Sequence, residues 1–337
     1  MTASNSSPAS PTLKIDPPLL NTACPWATTI DDLRTLYNSR HTGAVTTRTT
    51  TLNGYPHDDS IHQYTTQSTT TLNTYGYSPH PLSYYLDAIK TIITEDGNQK
   101  KPFIISITGS PEEVAHLIQQ ITTFAKDHTL NLAIEINLSC PNIENAPPPA
   151  YDAAALKTYL DALPSHPTLA IGVKVPPYTY SHQFHSILDT LEPFLKAKRL
   201  VFITSCNTLG SCLLLTPSPS CTAIHPPASS LSRALNSADG TGIGGMAGES
   251  LHPLALGNLD ILRRGLDERG LNEVLIIGVG GVSSRDGYER MRAVGAGAVG
   301  VASAIGRLGV GVLGFIGTGK WDREGREEER MWKGGCC

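Results

Sequence analysis

The stretch VLIIGVGGVSSRDGYERMRAVGAGAVGVAS, residues 274–303, contains two short apolar runs with a helical pattern between them. The first run, at 274–280, and the second, at 298–303, each have the length of a buried strand. Between them, residues 284–295 have the spacing of an amphipathic helix. Because two parallel strands need a crossover connection, usually a helix, this stretch predicts a β-α-β unit.

Six earlier apolar runs repeat this scheme along the chain. They are LLNTA (19–23), AVTTR (44–48), FIISIT (103–108), LAIEINLS (132–139), LAIGVKV (169–175) and LVFITS (200–205). Helical patterns separate several of them, as at 29–38 and 111–127. Eight strands that alternate with helices favour a closed TIM (β/α)8 barrel, an α/β fold, over an open sheet. Two connections, 49–102 and 206–273, are too long for simple crossovers, so we expect long rim insertions beside the active site.

The two ends of the chain depart from the barrel pattern. Residues 1–12 are rich in Ser, Pro and Thr and are expected to form a disordered leader, which leaves the barrel at 13–310. The segment 309–319 contains five glycines, and each costs about 1 kcal/mol relative to alanine inside a helix. A charged segment follows it. We therefore expect an irregular, charged C-terminal tail at 311–337 with a poor final helix.

The overall composition excludes several classes of protein. The 337 residues include 26 Lys+Arg and 30 Asp+Glu, a formal net charge of −4, which gives nucleic acid no general electrostatic attraction. No run approaches the roughly 20 apolar residues of a membrane span, and the opening lacks the pattern of a signal peptide. We expect a soluble, cytoplasmic protein without a membrane partner. The seven cysteines lack paired spacings, which argues against a disulfide framework and against a metal site.

Two glycine-rich strand ends predict an anion site. In a TIM barrel, the residues that end each strand face the mouth where the chemistry occurs. The seventh run ends at Gly280 and Gly281, whose backbone can approach a ligand closely. The eighth ends at Ala302 and Ser303, which add N–H groups and a hydroxyl at a helix start. A phosphate commonly binds at this place in such barrels. The alternative is a tight turn without a ligand.

Lys174 lies between two valines at the end of the fifth run. A lysine on a buried strand cannot stay in an apolar core without a partner, so it must face a polar mouth or an anionic ligand. Two chemistries fit this residue. One is a cation beside a flavin ring, and the other is a Schiff-base lysine that attacks a carbonyl.

The fourth run ends at Cys140, among amide side chains. Pro141 stops the strand because it cannot donate a ladder hydrogen bond, so we expect Cys140 at the rim. An isolated cysteine is more often a small core residue, but Asn137 and Asn142 make this strand end polar. Other strand ends carry Asn73, Asn207 and Thr208. Several amides around one mouth suit a planar, amide-like ring.

Six sequence words, in order along the chain, resemble dihydroorotate dehydrogenase, and specifically its soluble, fumarate-reducing class 1 branch. They are LNTYGY with SYYLDAI (72–77 and 83–89), INLSCPN (136–142), GVKVPPY (172–178), CNTLG (206–210), GGMAGESLHPLALGNL (244–259) and IIGVGGVSSRDGYERMRAVGA (276–296). The resemblance extends over roughly residues 13–310. It implies an FMN enzyme that oxidises (S)-dihydroorotate to orotate in pyrimidine (UMP) biosynthesis, passes the electrons to fumarate and forms a homodimer.

The resemblance also implies roles for particular residues. Cys140 matches the base that removes the C5 proton while hydride leaves C6 for flavin N5, and a thiolate base predicts activity that rises toward alkaline pH. The positions that match substrate-binding residues are Asn73, Tyr75, Gly76, Tyr77, Asn142, Asn207 and Thr208. The positions that match cofactor-binding residues are Thr22, Ala23, Arg48, Asn137, Lys174, Gly244, Gly245, Gly280, Gly281, Ala302 and Ser303.

Several positions depart from the family pattern and keep other functions open. Arg48 stands where the family has lysine, Cys24 stands where it has glycine, and Tyr75 and Tyr77 bring bulk to the substrate loop. These differences permit a diverged FMN-binding paralogue with an altered substrate or no activity. A lyase that uses Lys174 is a second alternative. A flavin barrel acting on tRNA uridines is disfavoured by the net charge of −4.

Overall fold

The structure, a computed structural model, describes residues 11–143, 147–218 and 226–321. The strands in these residues are β1 (Leu19–Asn21), β2 (Val45–Thr46), β3 (Tyr64–Gln67), β4 (Thr70–Asn73), β5 (Phe103–Ile107), β6 (Leu132–Asn137), β7 (Ala170–Val175), β8 (Phe202–Ser205), β9 (Leu209–Cys212), β10 (Leu215–Pro217), β11 (Leu231–Arg233), β12 (Gly244–Gly248), β13 (Leu275–Val279) and β14 (Ala298–Val301). The α-helices are α1 (Ile30–Asn38), α2 (Leu82–Asp96), α3 (Pro111–His128), α4 (Ala153–Asp161), α5 (Ser181–Lys196), α6 (His252–Glu268), α7 (Arg285–Ala293), α8 (Ser303–Leu308) and α9 (Val312–Thr318).

Eight parallel strands form the barrel. Their order is β1-β14-β13-β8-β7-β6-β5-β2, and a parallel bridge between Leu20 and Ala44 joins the two ends of the sheet. Each of the eight runs predicted from the sequence contains one of these strands. The predicted TIM barrel is confirmed.

The barrel interior changes from apolar to polar along the strands. Its apolar part consists of Leu20, Ala44, Ile104, Ala133, Ala170, Phe202, Ile277, Val279 and Ala298. Because successive strand residues point to opposite faces, Glu135 and Asn137 share the interior face of Ala133 on β6. Lys174 likewise shares the interior face of Ala170 on β7. The polar side chains therefore collect toward the C-terminal ends of the strands.

Capping residues mark where the helices begin, so the rim loops end at defined points. Ser110 caps α3 by accepting a hydrogen bond from the Glu113 backbone N–H, and the Glu113 carboxylate accepts from the Ser110 N–H in return. Thr29 and Asp32 form the same reciprocal pair at the start of α1. Such pairs satisfy N–H groups that have no partner within the helix.

The two long connections combine into one structure on the rim. Residues 49–102 contribute the hairpin β3–β4, and residues 206–273 contribute β9 and β12. These four strands form one sheet in the order β3-β4-β12-β9, while β10 and β11 form a separate hairpin. The two rim insertions thus hold one another in place.

The prediction of an irregular stretch from residue 311 is wrong at its beginning. Residues Val312–Thr318 form helix α9, and its side chains Val312, Leu313 and Ile316 are buried. Burial of these apolar side chains outweighs the low helix propensity of the glycines, since packing supplies most of the stability of a helix in a protein. The charged part of the tail, 322–337, and residues 1–10 of the predicted leader lie outside the described residues. Within the described residues, the helices are too short or too polar to cross a membrane.

Gly172 provides a test of the packing inside the barrel. A Cβ added at Gly172 would lie 2.3 Å from a ring carbon of Phe202. We expect Gly172→Ala to lower the free energy of unfolding by about 1–3 kcal/mol, because the aromatic ring cannot move away within a packed interior. Urea unfolding followed by circular dichroism measures this change.

The matched control is Gly257→Ala in α6, where nothing lies within 4 Å of the added Cβ. This change should raise the free energy of unfolding by about 0.5–1 kcal/mol, because alanine favours a helix. Equal stability of the Gly172→Ala variant and the unmodified protein would contradict the close packing of Phe202.

Candidate functional site

Two adjoining cavities open at the C-terminal rim of the barrel. The first has a volume of about 720 Å³ and the second about 560 Å³. They share Ala23, Lys174, Asn207, Thr208, Ala247, Ala302 and Ser303 along their common wall. One elongated ligand could therefore reach from the first cavity into the second.

The first cavity brings together the predicted catalytic and substrate-binding residues. Its walls include Asn73, Tyr75, Gly76, Tyr77, Cys140, Asn142, Asn207 and Thr208. Asn73 ends β4 and the next three of these residues follow it, within the insertion after the barrel strand β2, while the others follow the barrel strands β6 and β8. The barrel places them together because the C-terminal ends of its strands meet at one rim.

Asn142 and Asn73 hold one another in position beside Cys140. The Asn142 side-chain amide donates to Asn73 Oδ1 at 3.0 Å and to the Tyr75 carbonyl oxygen at 3.0 Å. Asn73 Nδ2 in turn donates to the carbonyl oxygen of Gly245 at 3.1 Å. The rim insertions therefore fix the orientation of both amides.

Asn137 and Asn207 form a second pair of amides on the other side of this cavity. Asn207 Nδ2 donates to Asn137 Oδ1 at 3.2 Å and to Ser139 Oγ at 3.0 Å. Asn137 Nδ2 donates to Thr49 Oγ1 at 2.9 Å. Asn137 is buried, so these contacts determine which face of its amide a ligand could meet.

A buried glutamate supports this pair from below, and sequence analysis missed it. Glu135 lies two residues before Asn137 on β6 and is 2% exposed. Its carboxylate accepts hydrogen bonds from Ser106 Oγ at 2.9 Å and from Thr204 Oγ1 at 2.7 Å. The available signal was a charged residue within the apolar run LAIEINLS.

Lys174 lies in the wall between the two cavities. It is 3% exposed, and its ammonium group contacts Thr22 Oγ1 at 3.4 Å. No carboxylate in the described ranges lies within ion-pair distance of it. A buried ammonium without a counter-charge makes both cavities favourable for an anion.

Arg48 is buried at the edge of the first cavity, beneath the substrate loop. Its guanidinium donates to the carbonyl oxygen of Gly76 at 3.2 Å and to Thr28 Oγ1 at 3.3 Å. The same group lies 5.3 Å from the centre of the Tyr75 ring. Arg48, which stands where the family has lysine, is therefore accommodated by contacts with the loop. Cys24, the other departure noted above, is buried and also lines this cavity.

The thiol of Cys140 is a weak acid in this structure. Enclosure by the protein raises the pKa of Cys140, while a backbone hydrogen bond from Asn142 and the charges of Lys174 and Arg48 act in the opposite direction. Burial raises the pKa of Cys24 to about 12. Cys140 is partly accessible whereas Cys24 is buried. Cys140 is therefore the more accessible of these two thiols.

The second cavity is lined by the predicted phosphate-binding residues of the last two barrel strands. Gly280, Gly281, Ala302 and Ser303 all line it, as does Thr22. Gly281 has φ +69°, and a Cβ there would lie 2.5 Å from the carbonyl oxygen of Gly248. Only glycine fits at this point, because a side chain would collide with the neighbouring backbone.

His252 holds this glycine turn from behind, and sequence analysis missed it. The side chain is buried, and its Nδ1 lies 2.8 Å from the carbonyl oxygen of Gly280. Arg290 Nε donates to His252 Nε2 at 3.2 Å. Because arginine can only donate, Nε2 accepts and Nδ1 carries the proton given to Gly280.

Two glycines lie elsewhere than expected. Gly244 and Gly245, matched above to the phosphate end, are on β12 beside β4, and Gly245 pairs with Asn73. They line neither cavity, and their small size lets β12 approach the substrate loop. Gly248, at the end of the same strand, lines the second cavity instead. The glycine of this strand that reaches the second cavity therefore lies four residues after Gly244.

The family model for dihydroorotate dehydrogenase matches residues 12–317. Dihydroorotate dehydrogenase (fumarate) from Trypanosoma cruzi is 28% identical over 299 residues, which cover 88% of this chain and 86% of that protein. Dihydroorotate dehydrogenase A (fumarate) from Lactococcus lactis subsp. cremoris is 29% identical over 279 residues, which cover 81% of this chain and 80% of that protein.

Solved structures show the same fold. The crystal structure of a ligand-free DHODH from Eimeria tenella aligns with a TM-score of 0.66 at 15% identity, over 89% of this chain and 82% of that chain. The Eimeria tenella DHODH in complex with ferulenol aligns with a TM-score of 0.65 at 14% identity, over 89% of this chain and 79% of that chain. The family match extends across all eight barrel strands and both cavities. The chain therefore belongs to the dihydroorotate dehydrogenase family, whose members are oxidoreductases.

Proposed function

We propose that this chain is an FMN-dependent enzyme that oxidises (S)-dihydroorotate to orotate for pyrimidine biosynthesis and passes the electrons to fumarate. The observation that carries the proposal is the first cavity, in which Cys140 and four asparagine side chains surround one space beside Lys174. Dihydroorotate has a planar amide-like edge and a carboxylate. Amide side chains match the edge, and the nearby cations Lys174 and Arg48 match the carboxylate.

The residues of the two cavities fit FMN. The buried ammonium of Lys174 without a carboxylate partner in the described part of the chain suits an electron-rich flavin ring. Gly280 and Gly281 line the second cavity with backbone alone, which suits a phosphate group. Thr22, Ala23 and Asn137 would hold the ring region, and Gly280, Ala302 and Ser303 would hold the phosphate end. FMN, when bound, supplies the hydride acceptor.

Cys140 supplies the base in this proposal. Its thiolate takes the C5 proton of dihydroorotate, and the amides of Asn73, Asn142 and Asn207 hold the ring so that C5 faces Sγ. The hydrogen bonds among these amides exist before substrate binds, so little reorganisation is needed. We also propose, on the family branch alone, that the enzyme acts in the cytoplasm as a homodimer.

The absorbance spectrum of the purified protein tests cofactor and substrate together. We expect a flavin spectrum that bleaches when dihydroorotate is added without oxygen and recovers when fumarate is added. Cys140→Ser should slow the bleaching by roughly 100- to 10,000-fold at neutral pH, because a hydroxyl is a far weaker base. Stopped-flow absorbance measures the rate.

Cys212→Ser is the matched control, since Cys212 lies on β9 and lines neither cavity. It should bleach at the unmodified rate. A protein that holds FMN but does not bleach with dihydroorotate would contradict the proposed substrate and favour a diverged flavin-binding paralogue.

The pH dependence of bleaching tests the role of the thiol. Enclosure raises the pKa of Cys140, so the thiolate fraction is small at neutral pH and grows as the pH rises. The rate should increase about tenfold per pH unit until the pH reaches that pKa, above the ordinary value of about 8.5. The Cys140→Ala variant, which has no titrating group at this position, should lack this increase. A rate independent of pH between about 6 and 9 in the unmodified protein would exclude Cys140 as the base.

A further inference from the structure

The second cavity is lined by three charged side chains: Lys174, Glu249 and Arg307. Lys174 contacts Thr22, at the boundary with the first cavity. Glu249 accepts a hydrogen bond from Ser283 Oγ at 2.5 Å. The side chain of Arg307 makes no hydrogen bond or ion pair with any residue that the structure describes, and its charge favours the ionised form of Tyr64. An arginine on a cavity wall without a partner is available to a ligand.

Helix α8 holds Arg307 at the cavity. Ser303, at the start of this helix, lies 3.1 Å from Thr71 through the two hydroxyl oxygens. Gly306, next to Arg307, lies against Trp26, and a Cβ at Gly306 would be 2.0 Å from a carbon of that ring. These two contacts fix α8 against β4 and the loop after β1. Arg307 therefore lines the same cavity as Gly280 and Gly281 because of how α8 packs.

A phosphate group in the second cavity would need a cation beside it. A phosphate monoester carries a charge of about −1.5 to −2 at neutral pH. The backbone N–H groups around Gly281 and Ser303 are neutral, and the carboxylate of Glu249 in the same cavity repels an anion. A guanidinium can offset this repulsion, and its planar fork matches two phosphate oxygens.

We propose that Arg307 pairs with the phosphate of the flavin and makes the site select FMN over unphosphorylated riboflavin. The inference rests on the proposed function, because it needs a flavin in the two cavities. It assigns Arg307 a role in cofactor selection and none in the transfer of hydride or proton.

The test is a titration of the protein with each flavin after any bound cofactor has been removed. Quenching of flavin fluorescence measures the binding. In the unmodified protein, FMN should bind more tightly than riboflavin. Arg307→Met keeps the apolar stem and removes the charge, so FMN binding should weaken by roughly 10- to 100-fold, the loss typical of a charged hydrogen bond. Riboflavin binding should change less than about twofold, because riboflavin has no phosphate to lose.

Three further variants make the test specific. Arg307→Lys should restore part of the preference for FMN, and Glu249→Gln should strengthen FMN binding without changing riboflavin binding. Arg264→Ala is the matched control, since Arg264 is exposed on α6 and pairs with Asp260. It should leave both affinities unchanged.

The outcomes separate this inference from the proposed function. Equal weakening of FMN and riboflavin in Arg307→Met would assign Arg307 a purely structural role and overturn the inference. An unchanged ratio of the two affinities would also overturn it, while leaving FMN as the cofactor. Failure of the unmodified protein to bind either flavin would overturn both proposals.

Discussion

The site depends on hydrogen bonds that satisfy polar side chains inside a closed barrel. An unpaired polar group in such an interior costs roughly 1–3 kcal/mol, and a charge costs more. The polar groups meet this requirement through one connected set: Asn207, Asn137, Thr49, Ser106, Glu135 and Thr204. Because the set joins β5, β6 and β8 to the residues after β2 and β8, a shift of one strand would break several bonds together. The amides of Asn137 and Asn207 are held in place for this reason.

The same mouth carries positive charge that the protein leaves largely uncompensated. Lys174 is almost completely buried, and Arg48 donates only to neutral oxygens, the Gly76 carbonyl and the Thr28 hydroxyl. Glu135, the one buried carboxylate in the part of the chain that the structure describes, already accepts hydrogen bonds from two hydroxyls. An anionic ligand would therefore supply the negative charge that the protein lacks beside these two cations. Substrate carboxylate and cofactor phosphate are both anions of this kind.

The sequence predicted those parts of the site that depend on position along a strand. Cys140, Lys174 and Gly281 could be found because each follows a recognisable buried run and the barrel brings strand ends together. Residues that act through partners distant in sequence could not be found this way. His252 acts through its hydrogen bonds with Gly280 and Arg290, which lie 28 and 38 residues away in sequence. No local sequence pattern links the three residues.

Strand register and packing explain the other differences between the sequence predictions and the structure. Gly244 and Gly248 belong to one short strand, and only its pairing with β4 shows which of them reaches the second cavity. Helix α9 forms despite its glycines because Val312, Leu313 and Ile316 find an apolar surface that propensity alone cannot reveal.

The departures from the family pattern are physically coupled to one another. Arg48 has a larger head group than lysine, and the Tyr75 ring lies over its guanidinium at 5.3 Å. The Tyr75 ring also stacks with the His57 ring, with 6.0 Å between the ring centres. Tyr77 packs edge-on against Tyr55, with 5.5 Å between the ring centres. Each bulky residue of the loop thus has an aromatic or cationic partner supplied by the same insertion. Because the Gly76 carbonyl also accepts from Arg48, the loop and the arginine form one unit. Replacing Arg48 alone with lysine would keep the positive charge but lose the planar fork that reaches the Gly76 carbonyl and the Thr28 hydroxyl together, so the substitutions are best understood as a single repacked rim.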